Sequence, residues 1–151
     1  MGEDKQITVI DIKRSLKDKG YRASGNRDNI LQVLDKAEKP LTLNEIHERA
    51  LALDSENSEQ EVNHSTVYRT IESLAKEGFI KVISLLEGHN RYELERGDHH
   101  HHLVCTECSE ILPVHIGEHL EETEKNIEQT TGYKRTSHSL EFFGICTKCA
   151  N

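Results

Sequence analysis

The segment His99-His100-His101-His102-Leu103-Val104-Cys105-Thr106-Glu107-Cys108 constrains this chain more than any other. A second Cys-x-x-Cys pair follows at Cys146-Thr147-Lys148-Cys149, and the chain has four cysteines in all. Four thiolates in two tight knuckles is the donor set of a closed tetrahedral Zn²⁺ site, which would pin the end of the chain onto its middle. Two disulfides would use the same residues, but no secretory signal peptide is visible and cytosolic thiols stay reduced. A redox Cys-x-x-Cys needs one pair and a βαβ setting. The expectation is therefore structural zinc. The histidine run is internal, which argues against a purification tag and leaves an idle polar loop as the plain alternative. Side chains of an extended segment alternate faces, so His99 and His101 would point one way and His100 and His102 the other. One short strand could then feed two metal sites.

At 151 residues the chain fits one ordinary domain or two small ones. Apolar residues make up 34% and aromatics 5%, so any core is small and a metal staple or a partner chain would help it. No apolar run approaches the roughly 20 residues of a membrane span. The expectation is a soluble, cytoplasmic protein with no membrane association. The net charge of −8 excludes a global attraction to nucleic acid. Up to Gly97 there are 15 basic against 18 acidic residues, and beyond it 4 against 9. DNA binding would have to rest on local clusters of Arg and Lys in the first part.

Residues 1 to 6 are polar and expected to be loose. Ile12 and Leu16 mark a first amphipathic helix from Val9 to Lys19, stopped by Gly20. Tyr21 to Asn26 reads as a turn, and a second helix carries Ile30, Leu31, Val33 and Leu34. Pro40 breaks the chain, Thr42 caps a third helix bearing Ile46, Ala50 and Leu53, and Asp54 to Gln60 is a polar loop. In Asn63 to Gly78, Ser65 reads as an N-cap, Val67, Ile71 and Leu74 as the buried stripe, and Gly78 as the stop. Tyr68, Arg69, Ser73 and Lys76 fall off that stripe. Strands at Phe79–Leu86 and Arg91–Leu94 flank a Glu87-Gly88-His89-Asn90 turn. Three helices and a hairpin make a winged helix-turn-helix, whose last helix enters the major groove. After Gly97, short strands at Leu103-Val104 and Ile111–Val114, an acidic helix from Ile116 to Thr131, and a strand from Ser137 to Phe143 make a small α/β domain. Such small sheets often complete themselves across a two-fold axis.

Ser65-Thr66-Val67-Tyr68-Arg69-Thr70, the wing ending Arg91-Tyr92-Glu93-Leu94, the segment His99 to Cys108, and Gly144 to Cys149 together resemble the ferric uptake regulator family. These are dimeric, metal-sensing transcription factors. The resemblance runs from about Ile7 to Cys149. It implies an α+β fold: a winged-helix DNA-binding domain over 1–97, then an α/β dimerisation domain over 98–151 with a four-cysteine zinc site. It also implies a homodimer on palindromic operator DNA. Residue by residue, it implies structural zinc on Cys105, Cys108, Cys146 and Cys149. It implies an interdomain sensing site from Glu93, His100 and His102, and a second site from His99, His101, Glu121 and His138. Tyr68 and Arg69 would approach the major groove beside Ser65 and Thr66, Arg22 the minor groove, and Arg27 opens the second helix.

The departures are informative. Ser24-Gly25-Asn26-Arg27 stands where the family commonly has Thr-Pro-Gln-Arg. A first-domain histidine of the sensing site aligns near Pro40 and is missing; His89 in the wing turn or His64 is the expected replacement, His89 being favoured because the wing lies next to Glu93. A carboxylate after the first knuckle is replaced by Pro113, and His101 stands where iron-type members often have Asp. Trading carboxylate for imidazole favours Zn²⁺ over Fe²⁺ as the regulatory cofactor. An Fe²⁺-dependent or peroxide-sensing member is the alternative. A zinc hydrolase or deaminase is disfavoured because no His-x-Glu with Pro-Cys-x-x-Cys and no His-Glu-x-x-His is present.

Overall fold

The computed structural model describes residues 6–54, 62–85, 87–97, 99–117 and 119–151. The expectations at residues 1–5, 55–60, Leu86 and Asp98 lie outside these. The chain divides into two compact units, Met1–Asp98 and His99–Asn151. No helix is long and apolar enough to cross a membrane among the described residues.

The first unit contains α1 (Val9–Asp18), α2 (Gly25–Asp35), α3 (Leu43–Asp54), α4 (His64–Lys76), and a hairpin of β1 (Ile80–Ser84) and β2 (Asn90–Leu94). Helix α1 starts where Thr8 and Asp11 cap one another reciprocally: the Asp11 amide donates to Thr8 Oγ1 at 3.2 Å and the Thr8 amide to Asp11 Oδ2 at 3.1 Å. Helix α2 begins two residues earlier than its turn-like sequence suggests, with Ser24 as N-cap and Gly25 and Asn26 already helical. Helix α3 repeats the reciprocal cap with Thr42 and Glu45. Leu53 on this helix is 39% exposed rather than part of the core.

Helix α4 corrects the sequence reading at its start. Its N-cap is Asn63, whose Oδ1 accepts the Thr66 amide at 2.9 Å, so Ser65 sits inside the first turn. Asn is at least as good a cap as Ser, and this one also accepts the Thr66 hydroxyl at 3.0 Å. Val67, Ile71 and Leu74 face inward and meet Ile12, Ile30, Leu31, Leu41 and Ile46 in one core. Tyr68, Arg69 and Glu72 stand on the opposite, exposed side.

The hairpin pairs Ile80 with Leu94 through Ser84 with Asn90. It gains a third edge where Leu41 and Tyr92 exchange backbone hydrogen bonds of 3.0 and 2.8 Å. A buried cation holds this corner together. Arg91, 8% exposed, donates through Nε to Glu87 at 2.7 Å, and through Nη1 to Glu45 at 3.2 Å and the Pro40 carbonyl at 3.3 Å. Glu45 also accepts the Thr42 amide, so the cap of α3 and the turn end of the hairpin share one carboxylate. At the far end, Tyr21 donates to Glu77 at 2.9 Å and Lys19 pairs with the same carboxylate, tying the end of α1 to the end of α4.

The second unit is a three-stranded sheet, order β4–β3–β5, with α5 (His119–Thr131). Strand β3 (His101–Cys105) runs antiparallel to β4 (Ile111–Val114) and parallel to β5 (Glu141–Gly144). The central strand begins at His101 rather than Leu103, because both flanking strands pair with His102. Strand β5 starts at Glu141 rather than Ser137, and α5 at His119 rather than Ile116.

Asn63→Ala removes the one side chain that caps α4 and is expected to lower stability by about 1 kcal/mol. Ser65→Ala, at the position the sequence suggested, is expected to change it by less than about 0.5 kcal/mol. Urea midpoints of the two variants compare them directly. Equal losses would contradict this assignment of the cap.

Candidate metal centres and reading helix

Two turns of the same kind present the thiols. The first closes Cys105 to Cys108, with the Ser109 amide on the Cys105 carbonyl at 2.9 Å and Ser109 in a left-handed conformation (φ 58°). The second closes Cys146 to Cys149, with the Cys149 amide on the Cys146 carbonyl at 3.0 Å. Parallel pairing of Cys105 with Gly144, continued by the Thr106 amide on the Gly144 carbonyl at 2.8 Å, sets the turns side by side. All four sulfurs lie within 4.8 Å of one another, and Cys108 Sγ to Cys146 Sγ is 3.8 Å. Four sulfurs at ~2.3 Å from one Zn²⁺ would be about 3.8 Å apart.

The electrostatics of the four thiols point the same way. Backbone N–H groups, chiefly that of Cys146 at 3.3 Å, bring the Cys105 thiol down to about 6. The neighbouring Cys146 and Cys108 thiols push Cys149 up to about 12. So the Cys105 thiolate forms readily, while Cys108 and Cys149 resist ionisation until a divalent cation supplies the balancing charge. The donor set fits structural zinc.

His99, His101 and His138 form a second cluster of donors within 4.8 Å. Their ring centres are 4.9, 4.9 and 5.2 Å apart. Two imidazoles on one tetrahedral ion at ~2.0–2.1 Å per nitrogen put their centres about 5 Å apart. The outer nitrogens are already tied: His138 Nδ1 lies 2.7 Å from Glu124 Oε1 and His101 Nδ1 lies 3.1 Å from the Leu140 carbonyl. With those nitrogens donating, Nε2 is the basic nitrogen of each ring, the arrangement that orients a metal-binding histidine. Glu121, the carboxylate expected for this site, lies exposed in the first turn of α5 and is not among the clustered donors. The carboxylate that reaches His138 is Glu124, one turn further on. Two glutamates three apart on one helix face cannot be ranked from sequence.

On the other face, the rings of His100 and His102 are 5.0 Å apart and inclined at 76°. His102 is buried, at 3% exposure. Sequence reasoning missed His115, whose ring centre is 6.1 Å from that of His100. In the first unit, Glu93 is paired across the hairpin with Lys81. His89 stands half exposed in the hairpin turn with Nε2 3.3 Å from Glu87, and belongs to no donor cluster among the described residues.

Helix α4 presents a preorganised outer face. The Tyr68 hydroxyl donates to Glu72 at 2.8 Å, and that bond raises the phenol above its ordinary value. Arg69 Nε donates to the Ser65 carbonyl at 3.2 Å. Tyr68, Arg69 and Ser65 are exposed together, whereas the Thr66 hydroxyl is spent in the N-cap. Arg22 is exposed. Arg27 instead donates to the Arg22 carbonyl at 2.8 Å and lies 5.4 Å above the Tyr21 ring, which holds the turn carrying Arg22.

Purified protein is expected to keep one tightly held zinc per chain through dialysis against a mild chelator. Cys149→Ser is expected to lose it and to unfold at lower temperature, measured by metal analysis and thermal melting. Retention of zinc by that variant would rule out the four-thiolate assignment.

With this geometry in hand, the comparisons are direct. A sequence model of the ferric uptake regulator family matches residues 18–143. The ferric uptake regulation protein of Neisseria gonorrhoeae is 31% identical over 135 residues, 89% of this chain and 90% of that protein. The structure of the Helicobacter pylori ferric uptake regulator, reported to reveal three functional metal-binding sites, superposes with a TM-score of 0.71 at 27% identity. It covers 93% of this chain and 89% of that one. That of the Francisella tularensis ferric uptake regulator with iron gives 0.69 at 26% identity, over 87% and 96%.

Proposed function

The chain belongs to the ferric uptake regulator family, whose members are dimeric, metal-responsive transcription regulators and not enzymes, and from that membership we propose a zinc-responsive repressor. In this reading the protein binds palindromic operator DNA as a homodimer and shuts off genes for metal uptake when its regulatory ion is bound. Cys105, Cys108, Cys146 and Cys149 hold structural zinc. His100 and His102, with Glu93 as the carboxylate, form the sensing set. His99, His101 and His138 form a second site, with Glu124 orienting His138.

The observation that carries the choice of zinc is the His99–His101–His138 cluster, three imidazoles at the spacing of a tetrahedral ion and no carboxylate among them. Nitrogen-rich tetrahedral sites suit Zn²⁺, whereas Fe²⁺ prefers more oxygen donors and higher coordination. The similar regulators from Neisseria and Francisella, named for ferric uptake or bound to iron, favour Fe²⁺ as the second reading.

In this reading metal occupancy constrains the reading helices, so that only the loaded dimer matches an operator with fixed half-site spacing. Base contacts fall to Tyr68 and Arg69 on α4, and Arg22 reaches a minor groove. The dimer forms through the second unit, where Leu112, Phe143 and Ile145 are 51, 42 and 57% exposed and β4 and β5 are the edges of the described sheet. Pairing such a sheet with its two-fold copy removes apolar area from water and covers an edge.

Titration of the metal-stripped, zinc-core protein with Zn²⁺ or Fe²⁺ against operator DNA tests the reading. Zn²⁺ is expected to restore a mobility shift at far lower free concentration than Fe²⁺. Restoration by Fe²⁺ alone would make this an iron regulator, and no response to either would end the metal-sensing proposal. Arg69→Ala in the Zn²⁺-loaded protein is expected to weaken binding ~10- to 100-fold, corresponding to about 1–3 kcal/mol for a base-edge contact.

A further inference from the structure

We infer that His115 is a ligand of the ion held by His100 and His102, an inference that rests on the sensing set proposed above. In the β3–β4 ladder, His101 faces Val114 and His102 faces Pro113. Antiparallel pairing steps forward on one strand as it steps back on the other, so the next opposed pair beyond the ladder is His100 with His115. Directly opposed residues project to the same face, and residues two apart on one strand share a face. His100, His102 and His115 therefore come out on one side of the sheet, opposite to His101. The fourth position on that patch is Pro113, which offers no ligand.

The ring geometry agrees with the register. A ring centre lies about 3.2 Å from a zinc bound through one of its nitrogens, so two rings sharing an ion can be up to about 6.4 Å apart, and about 5.2 Å at the tetrahedral angle. His100 and His102 stand at 5.0 Å, and His100 and His115 at 6.1 Å with planes inclined at 57°. The second distance lies inside the limit; as its ring now stands His115 is outside the clustered donors, and a rotation of that ring would be needed to bring a nitrogen within reach. His115 is exposed and sits just after the end of β4, where a rotation displaces no core atom.

Donor number supplies the reason. A tetrahedral ion takes four ligands, and within the second unit His100 and His102 give two. His115 makes a set of three imidazoles on a single short hairpin and leaves one position for a further donor.

The test uses Co²⁺ as a spectroscopic stand-in for Zn²⁺, in full-length protein that keeps its zinc core and carries His138→Ala to silence the second site. The parent is expected to bind one Co²⁺ with the intense visible bands of tetrahedral coordination. His115→Ala is expected to weaken that binding ~10- to 100-fold and to reduce the bands, a loss in the range seen even for groups one shell further out. His115→Cys is expected to add a thiolate-to-cobalt charge-transfer band, a gain of signal that needs a ligating side chain at this position. Absence of that band, with His115→Ala titrating like the parent, overturns the inference. His102→Ala separates the two levels. If it removes the visible bands while the His115 variants leave them intact, the sensing set stands without His115. If it leaves them intact, the sensing set itself falls.

Discussion

Every proposed metal centre shares one wall, the strand from His101 to Cys105 with the two histidines just before it. Its backbone is held on both edges: His102 to Cys105 pair in parallel with Glu141 to Gly144, and His101 to Val104 pair with Ile111 to Val114. Because a strand shows alternate residues to alternate faces, fixing this backbone sends His99 and His101 to one side and His100 and His102 to the other. Its C-terminal end delivers Cys105 to the thiol cluster. A shift of one residue in either pairing would exchange the two imidazole faces and dismantle both at once. Zinc at the four thiols would act on that same register, since Cys105 stands on the last rung of the β3–β5 pairing and Cys146 two residues beyond its partner Gly144.

The first unit answers a different demand, that of holding a helix face rigid while its companion unit responds to metal. Its core is continuous across four helices and both hairpin strands. The hairpin is then fixed by Arg91 acting on two glutamates and a backbone carbonyl. A buried guanidinium is costly unless all its donors are matched, and the matching here is what specifies the angle between hairpin and α3. On α4 the same economy of motion recurs, with Tyr68 held by Glu72 and Arg69 by the Ser65 carbonyl. Side chains already in place lose less entropy on meeting DNA.

Much of this was legible in the sequence, and the failures share a cause. The apolar stripes of α1 and α4 were readable because a helix buries a fixed set of positions whatever it packs against. The cap of α4 was misplaced because Asn63 and Ser65 are both good caps, and only the backbone decides which one precedes the first helical turn. The four cysteines announced themselves through spacing. The carboxylate beside His138 did not, since Glu121 and Glu124 lie on one helix face and their reach depends on how α5 rests on the sheet. His115 was invisible for a stricter reason. Its partnership with His100 follows from the register of two strands, and register is a property of pairing that a single sequence does not spell out. His89 is expected as a substitute ligand by proximity along the chain, and in the structure its nearest carboxylate is Glu87.

Charge poses the last physical question, because a chain of net charge −8 must approach a polyanion. The excess acid lies mainly beyond Gly97, with 4 basic against 9 acidic residues there. That part needs no contact with DNA. On α4 the outward row carries Arg69 and Lys76, and its one carboxylate, Glu72, is engaged by the Tyr68 hydroxyl. Divalent ions on the second unit add positive charge where the acid surplus is largest, so loading the sites reduces repulsion as well as constraining geometry. The two effects separate by range. Screened repulsion fades with added salt over a Debye length of about 10 Å at 0.1 M, whereas a geometric constraint on half-site spacing survives it. With so few cations on the proposed reading face there would be little counterion release to draw on, so in the proposed function discrimination between operator and other DNA would rest on fit, which the metal would set.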